Sequence, residues 1–269
     1  MINEYQTYNC KILNIKNEGS DSKTFILELP YKEFYFTAGQ YVMASLPGFG
    51  EAAISVSSAL DEEKFIELTI RRVGSLTEKI HQLNKGDYLG VRGPYGNGFP
   101  LKIAQNKNIL IVAGGIGIEP VRPIILDALK NTQKYKSVTI FYGAKDESAV
   151  VYANECSKWN KVCDFNLILE KTNDKKVNQG MITALFDLKN VPKDAIAYMC
   201  GPPVMYKFVV QKMLEQGFSP DNIYISFERH MDCAQGICQH CAVGPYYVCQ
   251  DGPVFGYSQI KDASWLKII

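Results

Sequence analysis

Short runs of apolar, aromatic and β-branched residues recur from Tyr5 to about Gly98, each closed off by turn residues. Thr7 to Asn14, Ser22 to Leu29, Gln40 to Ser45, Phe65 to Arg71 and Tyr88 to Val91 read as strands. The breaks are Asn17-Glu18-Gly19, Pro30, Pro47-Gly48, Asp61 to Glu63 and Lys85-Gly86-Asp87. Regular short strands at such spacing predict an antiparallel barrel or sandwich. One helical stretch, Leu76 to Leu83, interrupts them behind Ser75 or Thr77 as a cap.

Near residue 108 the pattern changes. Asn108 to Ala113 is almost wholly apolar, the mark of a strand covered on both faces. It runs into Gly114-Gly115-Ile116-Gly117-Ile118-Glu119-Pro120 and then a helix through about Lys130. Ser137 to Tyr142, Asp164 to Leu169 and Ala195 to Cys200 are further strands with helical stretches between or after them. This alternation predicts βαβ units and a doubly wound parallel sheet. The boundary falls in the polar connector Gly98 to Lys107, and no internal repeat is visible.

Composition narrows the class. The 269 residues allow one to two domains with substantial cores. With 46% apolar residues, 21% charged residues and a net charge of +1, bulk charge points to no nucleic-acid partner. No apolar run approaches the length of a bilayer crossing. The N-terminal stretch lacks a basic region followed by an apolar core, and eight cysteines then point to a reducing compartment, so a cytoplasmic location is expected.

Four of the cysteines carry a pattern. Cys233, Cys238, Cys241 and Cys249 are spaced C-x4-C-x2-C-x7-C, the plant-type arrangement of four thiolates around a 2Fe-2S cluster. Ala234, Gly236, Ala242 and Gly244 let the backbone wrap closely and aim N–H groups at the sulfurs. A four-cysteine zinc site is the alternative, although its usual form pairs two short C-x2-C knuckles and only one is present. Cys10, Cys156 and Cys163 have no such spacing and read as small packing side chains.

Two turns have the context of a phosphate site. Gly114, Gly115 and Gly117 permit close backbone approach where a strand meets a helix, whose free N–H groups favour a pyrophosphate. Pro120 stands where the third glycine of G-x-G-x-x-G would be, and a tight connection without ligand remains open. Cys200-Gly201-Pro202-Pro203 likewise ends a strand and opens a helix, Val204 to Gln216. Both turns are expected on one sheet edge, where a dinucleotide would lie; Met205, Phe208 and Val209 are expected in the core. In the first half, the hydroxyls of Ala52 to Ser58 and the cations and helix start of Arg71 to Thr77 offer a second candidate surface, or else a solvated strand face and a capped helix.

Taken together, GPYG (Gly93 to Gly96), GGIGIEP and CGPP resemble the ferredoxin-NADP reductase superfamily, and the resemblance covers almost the whole chain. It implies an antiparallel β-barrel flavin domain (1-100), an α/β doubly wound parallel-sheet nucleotide domain (101-225) and a small C-terminal iron-sulfur loop (226-269). The added cysteine loop is similar to that of the electron-transfer subunits of dihydroorotate dehydrogenase, sulfhydrogenase (its gamma subunit) and anaerobic sulfite reductase. GEAAISVSS (Gly50 to Ser58), ERHMDC, CQHC and YVCQDGPVF look most like the last two, with anaerobic sulfite reductase favoured.

For the cofactors, the resemblance implies FAD held by Ile54, Ser55, Val56, Ser57, Ile70, Arg71, Arg72, Gly74, Ser75, Leu76 and Thr77. The superfamily's R-x-Y-S motif is reduced, with Ala52 for the arginine and Ile54 for the tyrosine, so FAD is expected to lean on Arg71 and Arg72. NAD(P)H would lie along Gly114, Gly115, Gly117, Glu119 and Pro120, with Gly201, Pro202, Pro203 and the catalytic position Cys200 beside the reactive ring. Lys145 is a candidate for a 2′-phosphate or a solvated lysine. The partners implied are catalytic and iron-sulfur subunits of a multi-subunit redox complex, with no nucleic acid and no membrane insertion. Hydride-to-electron transfer requires no acid or base from His81, His230 or His240, though the last two flank the cysteines and can tune a cluster there. A non-enzymatic metal-binding adaptor on a degenerate reductase fold is the rival class, supported only by Ala52 and Ile54.

Overall fold

The computed structural model describes residues 5–262; residues 1–4 and 263–269, parts of the expected first and last segments, lie outside the described residues. Strands β1 (Tyr8–Glu18), β2 (Ser22–Glu28), β3 (Tyr41–Leu46), β4 (Gly50–Ser55) and β5 (Phe65–Arg71) precede helix α1 (Ser75–Ile80) and strand β6 (Tyr88–Tyr95). They form an antiparallel sheet in the order β4-β3-β6-β1-β2-β5. A bridge between Val56 and Leu68 brings its outer edges together and closes a barrel. Alternation explains its interior: Phe25 and Leu27 from β2 and Ile66, Leu68 and Ile70 from β5 point inward to one core.

The nucleotide half follows as β7 (Asn108–Gly114), α2 (Arg122–Lys130), β8 (Ser137–Ala144), α3 (Ala153–Trp159), β9 (Asp164–Leu169), β10 (Asn178–Gln179), α4 (Leu185–Leu188), β11 (Ile196–Cys200), α5 (Pro203–Glu215) and β12 (Ile223–Ser226). The tail adds a two-stranded ribbon, β13 (Ala242–Val243) with β14 (Tyr246–Tyr247), then α6 (Val248–Asp251), β15 (Val254–Gly256) and α7 (Tyr257–Ile260). The large sheet runs β10-β9-β8-β7-β11-β12-β15, parallel throughout except at β15. Every residue of β7 is buried, as its continuous apolar run requires at the sheet centre.

Two details differ from the sequence expectation. The helix expected from Pro120 begins at Arg122, because Gly115 to Ile118 form a 3-10 turn first. The tail is no separate lobe: β15 pairs with β12, and Met231, Val248 and Cys249 share a core with Tyr41 of the barrel and Met199 of the sheet.

The two domains are joined by a buried polar network. The outer face of β5 carries Glu67 and Thr69, both buried. Arg122, 4% exposed, donates to Glu67 at 2.6 Å, to the Ser57 carbonyl at 2.7 Å and to Glu155 at 2.6 and 2.9 Å. The Tyr152 hydroxyl lies 2.5 Å from that of Thr69, and its ring lies under the Arg122 guanidinium. Burial alone would raise the Glu67 carboxyl; Arg122, with help from Lys16, holds it below the ordinary carboxylate range. Among the described residues no helix is long and apolar enough to cross a membrane.

Candidate functional site

β7 and β11 are neighbours in the sheet but far apart in sequence, so the chain reverses its winding between them, and their carboxyl ends open a crevice. The glycine turn after β7 packs on the turn after β11. A Cβ on Gly117 would meet the Cys200 carbonyl oxygen at 2.4 Å, so only glycine lets the two backbones touch. Gly115 takes a φ of +55° and faces open space. Tyr206 ties the second turn down, accepting from the Gly201 N–H at 3.1 Å and donating to the Ser226 carbonyl at 2.6 Å.

Two clefts meet there. The first, about 300 Å³, is lined by Gly114, Gly115, Pro202, Met205 and Phe208, with Lys145 and Glu170 toward its far end. The second, about 470 Å³, lies between barrel and sheet and is lined by Ala52 to Ser55, Thr69, Val73 and Thr77 on one side. Glu119, Pro120, Cys200 and the segment from Ser226 to Met231 form the other side. Arg71, Ile116 and Glu228 line both, so ligands in the two clefts would meet at these residues.

The sequence-predicted residues divide accordingly. Ile54, Ser55, Arg71, Thr77, Glu119, Pro120 and Cys200 line the barrel-side cleft; Gly114, Gly115 and Pro202 line the other. Gly117 and Gly201 are buried beneath the turns, and Pro203 is exposed in the first turn of α5. Four residues expected at the flavin lie outside the lining of both clefts. Val56, Ile70 and Leu76 point into the barrel core, because strand alternation and the inward face of α1 turn them from the cleft. Arg72 lines a separate polar recess with Asp21, Glu78 and His81. Ser57 is spent on the Glu67 carbonyl, and Gly74 and Ser75 are exposed outside the lining. Met205 and Val209 are buried while Phe208 is half exposed over the first cleft, against its expected place in the core.

The protonation states are set by burial. Cys200 is 2% exposed; its enclosure first, then the charge of Glu228, pushes the thiol well above its ordinary value, so it stays neutral. Glu228 opens toward solvent, yet crowding by the cleft walls raises its carboxyl against the pull of Arg71. His81 bonds the Ile70 carbonyl at 2.7 Å and packs in the barrel, a structural role. Burial raises the thiols of Cys10, Cys163 and Cys156, which suits packing side chains.

The cysteine loop sits against the barrel beside the second cleft. The N–H groups of Gln235, Ile237 and Cys238 aim at the Cys233 sulfur at 3.3 to 3.4 Å, and that of Gly236 at the Cys249 sulfur at 3.2 Å. Burial would raise the Cys233 thiol, but the N–H groups of Cys238, Gln235 and Ile237 outweigh it and bring it down to about 6, a thiolate in waiting for a metal. Cys241 and Cys249 are buried, and burial, then Cys241, raises the Cys249 thiol. Arg92 anchors the loop: paired with Glu51 at 2.5 and 2.8 Å, it donates to the carbonyls of Asp232 and Cys233 at 3.2 Å. Tyr41 lines the barrel-side cleft and donates its hydroxyl to the Cys249 carbonyl at 3.2 Å.

Sequence reading gave no role in the clefts to Tyr41, Arg92, Glu170 or Glu228, the last noted only as part of the ERHMDC motif. Arg92, a cation inside an otherwise apolar strand, was the one readable signal among them.

The residues fit the groups the fold implies. A cleft with a cation (Arg71), an aromatic wall (Tyr41) and a buried carboxyl oxygen that has no partner among the described residues (Glu119 Oε1) suits a flavin ring; a nest of N–H groups around thiols suits an iron-sulfur cluster. Fold and site together define a reductase module of barrel, nucleotide domain and cysteine-rich tail. Family models agree domain by domain: the oxidoreductase FAD-binding domain matches residues 9–99, the oxidoreductase NAD-binding domain 111–211, and the iron-sulfur cluster binding domain of dihydroorotate dehydrogenase B 228–261. The sulfhydrogenase 2 gamma subunit of Pyrococcus furiosus is 38% identical, covering 95% of this chain and 96% of its own. A probable dihydroorotate dehydrogenase B electron transfer subunit of Pyrococcus horikoshii is 36% identical, covering 86% and 84%. A chain of the NADH-dependent reduced ferredoxin-NADP oxidoreductase shares the fold at TM-score 0.77 and 23% identity, covering 98% and 97%. The protein belongs to the ferredoxin reductase-like family of FAD- and NAD-binding electron-transfer subunits that carry a C-terminal iron-sulfur domain.

Proposed function

We propose that this chain is the electron-input subunit of a cytoplasmic multi-subunit redox complex, taking electrons from NADH and passing them to a partner catalytic subunit. The observation that carries this reading is the contiguous row of three sites. The nucleotide cleft and the barrel cleft share Arg71, Ile116 and Glu228, and Tyr41 spans from the barrel cleft to the backbone of a cluster cysteine. When bound, a flavin supplies the conversion between two-electron hydride chemistry and one-electron transfer. The protein's contribution is position: the touching turns hold the nucleotide edge, neutral Cys200 presents a small uncharged wall, and Arg92 fixes the cysteine loop to the barrel.

A 2Fe-2S cluster is the metal group this reading assigns. What supports it is the C-x4-C-x2-C-x7-C spacing of Cys233, Cys238, Cys241 and Cys249 together with the N–H groups aimed at the Cys233 and Cys249 sulfurs. A single tetrahedral zinc would draw all four sulfurs together; among the described residues the one group of three or more such donor atoms within 4.8 Å is His230, Asp232 and His240 instead. Metal analysis of anaerobically purified protein tests this, with two irons per chain expected and stoichiometric zinc contrary to it.

Glu170 favours NADH. It follows β9 in the nucleotide cleft, where a carboxylate accepts hydrogen bonds from ribose hydroxyls and repels a 2′-phosphate; nearby Lys145 offers the opposing charge. Turnover with NADH should exceed that with NADPH, and Glu170→Ser should narrow the ratio by about tenfold, equivalent to ~1.4 kcal/mol.

For the partner, we carry the reading of anaerobic sulfite reductase, on the motifs Gly50 to Ser58, Glu228 to Cys233 and Tyr247 to Phe255. The sulfhydrogenase gamma relatives favour a hydrogenase partner as the second reading. Isolating the complex from its native source and assaying sulfite reduction and hydrogen evolution separates them.

A further inference from the structure

Glu119 is a buried acid in the wall of the barrel cleft. It is 7% exposed and lines the barrel cleft but not the nucleotide cleft. The backbone N–H of Thr69 contacts its carboxyl, while Oε1 is buried with no partner among the described residues. The other polar side chains around it are committed. The Thr69 hydroxyl meets those of Tyr152 and Thr24, and the Thr77 hydroxyl accepts from the Val73 and Gly74 N–H groups at 2.9 and 3.0 Å. Ala52 and Ile54 offer no polar head. Of the polar side chains that remain in the lining, Arg71, Glu228, Arg229 and His230 are exposed, and Glu119 is the buried one with an oxygen left over.

The charged and titratable groups near it leave the carboxyl no cation of its own. Arg122, one turn along on α2, is spent on Glu67 and Glu155. Cys200 at the end of β11 and Tyr152 before α3 are neutral, burial having raised both. Glu228, after β12, adds like charge, and its attraction is to Arg71. Burial first and Glu228 second therefore keep Glu119 protonated well above the usual carboxylate range, against the single N–H of Thr69. An enclosed carboxylic acid in its neutral form is a hydrogen-bond donor.

We propose that Glu119 is a carboxylic-acid donor in the flavin cleft, its O–H directed to an acceptor atom of the flavin ring, in place of polar contacts that Ala52 and Ile54 no longer provide. The proposal rests on the flavin reading of this cleft. Its ligand chemistry is a heteroaromatic ring carrying carbonyl and imino acceptors. The sequence singled out Glu119 only as part of a pyrophosphate turn; the structure turns it to the other cleft.

The test compares wild type, Glu119→Gln and Glu119→Leu in the full chain. FAD affinity is measured by fluorescence quenching, and protonation by infrared difference spectra between oxidised and reduced flavin. Leucine should weaken FAD binding about tenfold, whereas glutamine, which keeps a donor, should stay within about threefold of wild type. A carboxylic-acid carbonyl band should respond to flavin reduction in wild type and vanish in both variants. Wild-type affinity in a folded Glu119→Leu, equal losses in both variants, or absence of the acid band would overturn the donor role while leaving the flavin in place. A wild-type chain that takes up no FAD would overturn the underlying reading instead.

Discussion

Replacing Cys241 by serine should leave NADH-driven bleaching of the flavin intact while abolishing electron delivery to a one-electron acceptor. Cys241 is 1% exposed, packs in the core shared by barrel, sheet and tail, and accepts the Cys249 N–H on its sulfur. It touches neither cleft, so nucleotide and flavin sites keep their walls. Removing a mere outer partner of a metal ligand typically costs about 10- to 100-fold, so losing a ligand should reach or exceed the upper figure. Stopped-flow absorbance follows the first step and acceptor reduction the second. Equal loss of both would contradict the order in which the carriers are placed, with the cysteine loop as exit.

The second large effect concerns the joint between domains. Arg122→Met should destabilise the protein by about 3–5 kcal/mol, because it leaves Glu67 buried opposite Glu155 with only the partly exposed Lys16 as a cation. In a chain of this size that corresponds to a fall of roughly 10 °C in the melting temperature of the flavin-loaded protein. The pH dependence gives the cause away. In the wild type the folded Glu67 value lies below its unfolded one. Its pairing therefore stabilises fully above the ordinary carboxylate range and fades as pH falls through the lowered value. In the variant the same carboxyl, buried with Lys16 alone beside it, lies higher than in the wild type, so acid relieves it. The stability gap between the two proteins should shrink as pH drops from about 7 to 4. A constant gap would mean that Arg122 acts by packing alone.

What could be read from the sequence was whatever local chemistry dictates. The glycine turn after β7 was legible because a buried strand ran directly into residues with no side chain, and the structure shows why Gly117 must be one. The cysteine spacing was legible because thiolate geometry fixes it. Strand faces were less so. Ile70 and Arg71 are adjacent, yet one enters the barrel core and the other lines both clefts, since alternation gives the period but not which face meets a ligand. Strand β6 runs on through Gly93 and Pro94 to Tyr95, past its expected end at Val91. Contacts across long separations left no local trace: β15 pairing with β12, Arg122 meeting Glu67, and Tyr41 reaching Cys249 all depend on how the domains close.

The reduced flavin motif has a physical counterpart in the cleft. Ala52 and Ile54 remove a cation and an aromatic ring from β4, while Arg71 and Tyr41 supply both from neighbouring strands. Arg72, expected to share that task, faces elsewhere. On the proposed reading, a flavin linking nucleotide and cysteines would rest on residues of β3 and β5 more than on the motif strand.

Anaerobic titration of the full chain with NADH, followed by visible absorbance and electron paramagnetic resonance, tests the central claim most directly. The account predicts flavin bands that bleach on addition of NADH and a paramagnetic signal from a cluster reduced by one electron. Protein without flavin absorbance, or flavin bands unmoved by either NADH or NADPH, would contradict it.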